Sequence, residues 1–126
     1  MTQEEKQLLL VDLCGRLPYG VKVKDTYYNY DENSATIWLL DLNTQKVRIF
    51  ADEDWQSIEY IKPYLFPISS MTEEQRKECK SLMIRDSSGI LYHTIESFDY
   101  LYKNHIDVRK LIPKGLANDA TGLNIY

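Results

Sequence analysis

The chain has 126 residues, is 44% apolar and 27% charged, and carries a formal net charge of −4, which suits one α+β domain over residues 1–126. No apolar run approaches the roughly 20 residues that span a bilayer, and the N-terminus is acidic, unlike a secretory signal, so we expect a cytoplasmic protein with no membrane contact. The net charge disfavours nucleic acid as a partner, because such binding depends on Lys and Arg.

A first helix is predicted over residues 2–15. Thr2 and Glu5 have the spacing of a capping box, in which each side chain accepts a hydrogen bond from the other's backbone N–H. Pro18 prevents the helix from continuing. Asp12 lies mostly off the apolar stripe of this helix. Four residues recur at helical spacing and predict the buried stripe: Leu10, Leu13, Cys14 and Leu17.

A group of strands is predicted next. Residues 21–24 alternate apolar and basic side chains, which is typical of a half-buried strand with its lysines in water. Residues 35–42 are nearly all apolar and predict a central strand covered on both faces. Residues 46–50 return as its hairpin partner. One more strand is expected over 57–61, and Pro63 and Pro67 are expected to limit pairing after it.

The second half of the chain is predicted to be helical. Thr72 and Gln75 form another capping-box pattern, for a helix that runs to about residue 85. A short edge strand is expected over 90–93, and a third helix begins at Thr94. The tail, 118–126, is expected to be loosely held. The predicted buried face of the third helix consists of Ile95, Phe98, Leu101, Tyr102 and His105.

The grouping of strands between helices predicts an α+β fold. We expect an N-terminal helix, a small antiparallel sheet of three to five strands, and two or three C-terminal helices. An SH3-like barrel is the finer alternative for the strands.

The side chains that most often carry catalysis or bind metals form no recognised pattern. Cys14 and Cys79 are predicted to be free core thiols, and they are not spaced with His93 or His105 like zinc ligands. No metal, cofactor or catalytic residue is therefore expected, and we do not expect an enzyme. A cleft that brings a thiol, an imidazole and an acid together remains the enzymatic alternative.

Aromatic residues give the main indication of function. Ten residues are tyrosine, a residue type enriched at protein interfaces. The candidate binding residues are Tyr27, Tyr28, Tyr30 and Trp55. They predict a small non-catalytic binding or adaptor protein that acts through protein–protein contacts with an unknown partner. The alternative is a nucleic-acid-associated accessory protein that uses Lys22 and Lys24 together with nearby aromatics.

Three segments also carry a resemblance: DLCGRLPYGVKVK (12–24), IKPYLFPISSMTEEQ (61–75) and SFDYLYKNHIDVRKLIPKGLA (97–117). They resemble a group of small uncharacterised proteins of intestinal anaerobic bacteria and their integrated phages. The resemblance covers about half the chain. It implies a phage or mobile-element context, and it implies no activity or site residue.

Overall fold

The computed structural model describes residues 1–27, 35–49 and 55–126. Its helices are α1 (Gln3–Arg16), α2 (Glu73–Ser81) and α3 (Ile95–Lys103). Its strands are β1 (Lys22–Asp25), β2 (Ala35–Asp41), β3 (Lys46–Ile49), β4 (Gln56–Ser57), β5 (Ile61–Leu65), β6 (Ile84–Arg85), β7 (Leu91–Tyr92) and β8 (Asn118–Asp119). An N-terminal helix, a sheet of several strands and C-terminal helices confirm the α+β class.

All three helices begin at the predicted threonines, with the predicted capping boxes at α1 and α2 and a further one, Thr94 with Ser97, at α3. Thr2, Thr72 and Thr94 accept hydrogen bonds from the third backbone N–H of α1, α2 and α3, and the partner side chains accept bonds from the threonine N–H groups. Helix α2 ends at Ser81, four residues earlier than predicted. The following residues form β6 instead, which pairs with β7 in a separate two-stranded ribbon.

The main sheet has six strands in the order β4-β3-β2-β1-β5-β8. The first four pairings are antiparallel, and the β2–β3 hairpin is confirmed. The last pairing, β5 with β8, is parallel, so the prediction of a purely antiparallel sheet is wrong for this strand. Strands β4 and β8 lie at opposite edges, so the described strands form an open sheet and the SH3-like barrel is not confirmed.

Strand β5 contains Pro63, although the sequence predicted that this residue would limit pairing. Pro63 lies opposite Val23 of β1. On its other side, β8 pairs only with Tyr64 and Leu65. The missing N–H of the proline therefore removes no hydrogen bond to β8, and the strand tolerates it.

One face of the sheet packs against α1. Leu9, Leu10 and Leu13 of the helix are fully buried, together with apolar residues of the strands such as Val23 and Ile37. A smaller apolar cluster joins α2 and α3 around Cys79, whose burial confirms one thiol prediction.

The predicted buried faces of α1 and α3 need correction. Cys14 is exposed and Asp12 is completely buried, which reverses the two predictions for α1. In α3, Leu101 and Tyr102 are buried, but Ile95 is 79% exposed and Phe98 is also exposed. The buried side of α3 instead includes Ser97, whose hydroxyl accepts a hydrogen bond from the N–H of Thr94.

The tail is held more firmly than predicted. Beyond β8, the Tyr126 hydroxyl accepts a hydrogen bond from the Lys22 backbone N–H and donates one to the Tyr64 carbonyl, both at 2.8 Å. The tyrosine ring stacks on His105, with 3.6 Å between the ring centroids. Burial raises the pKa of Tyr126 to about 12. The hydroxyl thus joins β1 to β5 where their direct pairing ends.

Replacing Tyr126 by phenylalanine is expected to lower the free energy of unfolding by about 1–2 kcal/mol. The change keeps the stacked ring but leaves the Lys22 N–H and the Tyr64 carbonyl without this partner. Urea unfolding measures the difference. Tyr19→Phe is the matched control, because the Tyr19 hydroxyl makes no hydrogen bond with the described residues. Equal stability of Tyr126→Phe and the wild type would contradict the bridging role.

None of the described helices is long and apolar enough to cross a membrane.

Candidate functional site

The sheet face opposite α1 is the candidate site, and we call it the outer face. In β3, Val47 and Ile49 point to the core, so Arg48 between them points the other way. In β1, Val23 is buried, so Lys22 and Lys24 lie on the outer face. The described part of the chain leaves much of this face to solvent, because Trp38 of β2 is 46% exposed and Trp55 beside β4 is 42% exposed.

The centre of the outer face is an arginine between two tryptophans. The guanidinium carbon of Arg48 lies 5.3 Å from the Trp38 ring centroid and 5.9 Å from the Trp55 centroid. These distances are within the range of cation–π attraction. Trp38 lies in β2, Arg48 lies in β3, and Trp55 directly precedes β4. The arginine therefore orders two large, exposed aromatic rings on one surface.

Lysines extend the outer face toward β5. Lys24 lies directly opposite Lys62 in the β1–β5 pairing, and Lys22 is two residues away on the same strand. Like charges at directly opposite positions destabilise a sheet. None of the ion pairs among the described residues includes Lys24 or Lys62. Among the described residues, the outer face therefore carries several cationic side chains, although the whole chain has a net charge of −4.

The four predicted binding residues have different outcomes. Trp55 is exposed and belongs to the outer face. Tyr27 is 59% exposed, but it follows β1 and packs against Tyr60, with 4.9 Å between the ring centroids. Strands β2 and β3 separate it from Trp55. Tyr28 and Tyr30, like the acidic segment 52–54, lie outside the described residues.

Trp38 was not predicted as a site residue, because its strand was predicted to be covered on both sides. The pairing of β2 with β3 shifts between Ile37 and Leu39, which is a bulge at Trp38. The apolar residues of β2 therefore do not alternate regularly between the two faces. Residues of β3 do alternate strictly, and this pattern could have placed Arg48 on the solvent side. The two tryptophans that contact Arg48 would then have been expected on the same side.

A cluster of hydrogen-bonded polar side chains, separate from the outer face, lies between α1 and the segment after α3. We call it the Asp12 network, and its members are Asp12, Arg16, Tyr102 and Arg109. Arg16 donates two hydrogen bonds to the Asp12 carboxylate, at 2.6 and 3.1 Å, and both side chains are fully buried. Arg109 donates to the same carboxylate at 3.1 Å and to the Tyr102 hydroxyl at 2.6 Å.

The Tyr102 ring fixes the geometry of this network. The guanidinium carbons of Arg16 and Arg109 lie 5.0 and 5.7 Å from the centroid of this ring. Gly15 allows the close approach of the helices, because a Cβ atom there would be 2.6 Å from a carbon of the Tyr102 ring. Burial lowers the pKa of Arg109, but the bonds to Tyr102 and Asp12 outweigh it, and the pKa is raised overall. The network is a structural link between the helices.

The thiols and imidazoles considered for catalysis lie in separate environments. Cys14 is on the exposed side of α1, Nδ1 of His93 lies 3.0 Å from the Ser97 hydroxyl, and His105 stacks on Tyr126. Burial of Cys79 raises the pKa of its thiol, and partial desolvation raises that of the more exposed Cys14, which disfavours the reactive thiolate. Within residues 1–27, 35–49 and 55–126, no group of three or more His, Cys, Asp or Glu residues could hold a metal ion.

Comparisons of this chain with protein-family models, with curated proteins and with solved structures found no match.

Proposed function

We propose that this protein is a non-catalytic binding or adaptor protein that contacts another protein through its outer face. The observation that carries the proposal is the exposed cluster of Trp38, Arg48 and Trp55. Tryptophan and arginine are the residue types most enriched where alanine substitution weakens protein interfaces most. Covering two exposed indole rings also supplies a large apolar contribution to binding.

The charge of the outer face indicates the chemistry of the partner. Lys24 and Lys62 repel each other across the β1–β5 pairing, and Arg48 lies between the rings. A carboxylate placed between the two lysines would replace this repulsion by attraction. The complementary surface is therefore acidic and carries apolar groups for the indole rings.

Cross-linking capture from the native host tests this proposal. Wild type, the double variant Trp38→Ala/Trp55→Ala and the control Ile95→Ala are compared; Ile95 is exposed but lies at the start of α3. We expect the same protein to be recovered with wild type and control and lost with the double variant. That protein, once purified, should change the tryptophan fluorescence, because Trp38 and Trp55 are the chain's two tryptophans. Equal recovery with the double variant would refute the proposal.

A second candidate is an accessory protein for single-stranded nucleic acid. The specific observation in its favour is the combination of the two exposed indole rings with Lys22, Lys24 and Lys62 on one face. Bases stack on aromatic rings, and lysines contact the phosphates. The negative net charge of the chain is a weaker argument against this function when several cations lie on one surface. A nucleic acid bound there would interact with the local electrostatic field more than with the net charge.

Fluorescence titration with an oligo-thymidine at increasing salt separates the two candidates. Nucleic-acid binding should quench the tryptophans and weaken steeply with salt. Lys24→Gln/Lys62→Gln should lower the affinity and flatten the salt dependence. The matched control is Lys77→Gln/Lys80→Gln on α2, away from the sheet. An unchanged fluorescence at low salt would exclude the nucleic-acid candidate and leave the protein candidate standing.

A further inference from the structure

A cavity of about 450 Å³ lies at the end of β5, away from the aromatic centre of the outer face. Its walls come from the connection between β5 and α2, from the end of α3 and from the tail. Its volume is within the range of small-molecule sites in proteins. Neither the predicted binding residues nor the Asp12 network lines it, so this cavity has no role in the proposed function.

One wall of the cavity is aromatic and already ordered. His105 and Tyr126 stack with an angle of 13° between their rings, and the Phe66 ring lies 5.9 Å from that of Tyr126. The Tyr126 hydroxyl is anchored to β1 and β5. His105 is held by its backbone, because its carbonyl accepts a hydrogen bond from the Phe66 N–H at 2.8 Å. A planar ligand would therefore meet a preformed surface.

Most of the remaining lining is polar and offers hydrogen-bond donors. Its polar side chains are Ser70, Thr72, Gln75, Lys103, Asn104 and Thr121. Thr72 Oγ1 accepts the Gln75 N–H, so its own hydroxyl proton remains available, and Gln75 uses only its amide oxygen in the capping box. The Lys103 ammonium forms no ion pair with the described residues. An ammonium, an amide N–H₂ and a hydroxyl suit an oxyanion.

Cationic side chains near the cavity also favour an anion. Among its described lining residues none is Asp or Glu. Directly behind it, Arg16 donates to the carbonyl of Ile106, which lines the cavity, at 2.6 Å. Arg16 is fully buried, and its Nη1 has no hydrogen-bond partner among the described residues. Burial first, and then the charges of Arg16 and Lys22, lower the pKa of His105 to about 4, in keeping with cationic groups near this wall.

We propose that this cavity binds a small organic anion, with its planar ring against the wall of His105, Tyr126 and Phe66 and its carboxylate or phosphate at Lys103. The aromatic wall would stack on the ring of the ligand, and the cationic side chains would attract its negative charge. Because the wall includes Tyr126, a bound ligand also holds the tail against β1 and β5.

Proton NMR of the two histidine rings tests the proposal. His105 lies in the cavity and His93 lies at the start of α3, so one spectrum holds both the reporter and an internal control. Adenosine 5′-monophosphate and benzoate are the phosphate and carboxylate probes, and adenosine and benzyl alcohol are their uncharged counterparts. At least one anion should shift the His105 resonances and bind about tenfold more tightly than its counterpart, a difference of ~1.4 kcal/mol.

Matched variants assign the binding to this cavity. Lys103→Gln should weaken the anion about tenfold, whereas Lys80→Gln on α2 should not. Tryptophan fluorescence should stay unchanged, which separates this site from the outer face. The proposal is overturned if neither anion at about 10 mM moves His105, if His93 shifts equally, or if the uncharged counterparts bind equally well. It is also overturned if Lys103→Gln has no effect.

Discussion

Asp12→Ala is expected to lower the free energy of unfolding by about 3–5 kcal/mol, the largest effect of any single change considered. The carboxylate of Asp12 accepts hydrogen bonds from both Arg16 and Arg109. Without it, the fully buried Arg16 keeps its positive charge, and among the described residues the Ile106 carbonyl is the hydrogen-bond acceptor that remains, beside the Tyr102 ring. The desolvation cost of that charge remains while the compensating attraction is lost. Urea unfolding with an unchanged m value measures the difference.

A double variant distinguishes the unpaired charge from a loss of packing. Asp12→Leu/Arg16→Met replaces the buried pair by apolar side chains, and it should recover at least half of the stability that Asp12→Ala loses. Glu4→Ala, which removes an exposed carboxylate from the same helix, should change the stability by less than about 1 kcal/mol. If the double variant were no more stable than Asp12→Ala, buried charge would not be the cause of the loss.

The local parts of the fold were predictable from sequence. A capping box depends on two residues three apart, so the starts of α1 and α2 follow from Thr2 with Glu5 and from Thr72 with Gln75, and α3 begins at Thr94 as predicted. The β2–β3 hairpin likewise needs only a short turn between two apolar runs. Such features are decided by neighbouring residues, and a single sequence contains all the information that they require.

The long-range parts were not predictable in the same way. Asp12 looks like a surface residue of α1, because the burial of the Asp12–Arg16 pair depends on residues far along the chain, such as Arg109, which is 97 residues away. Cys14 fits the apolar stripe by spacing, but the Asp12 network takes the neighbouring interior positions at Asp12 and Arg16. A buried ion pair costs desolvation energy and leaves no periodic signal, so an apolar pattern misplaces the buried face.

The candidate site was predictable in part. Trp55 was identified from its residue type and is exposed, and the lysines of β1 followed from alternation. The position of Trp38 depends on the bulge in β2, and that of Lys62 depends on a strand that contains a proline. The cavity at the end of β5 depends on Tyr126, which lies far along the chain and contacts β1 and β5 through its hydroxyl. Only tertiary structure brings these residues together.

Acidification between pH 6.5 and 4 is expected to remove about 2 kcal/mol of stability through His105. Its pKa is about 4 in the folded protein, first because of burial and then because of Arg16 and Lys22, against an ordinary value of 6.5. Below pH 6.5 the unfolded chain therefore gains a proton that the folded chain does not bind, and the equilibrium shifts toward unfolding. The contribution of His105 is complete above pH 6.5, falls as the pH drops to about 4, and changes no further below that.

Urea unfolding at several pH values tests this dependence. A full shift of this size corresponds to roughly 3 kcal/mol, and the partial solvent contact of His105 reduces it to the ~2 kcal/mol expected. His105→Asn tolerates the positive φ of 60° at this position and cannot titrate, so its stability should vary less over the same range. His93→Asn, which keeps His105, is the matched control. The same pH dependence in His105→Asn as in the wild type would mean that other groups cause it. Carboxylates whose pKa is lowered in the folded protein, such as Asp86, reduce the stability only as the pH falls toward and below their ordinary value of 3.8. A loss of stability in the upper part of the pH range is therefore assigned to histidine.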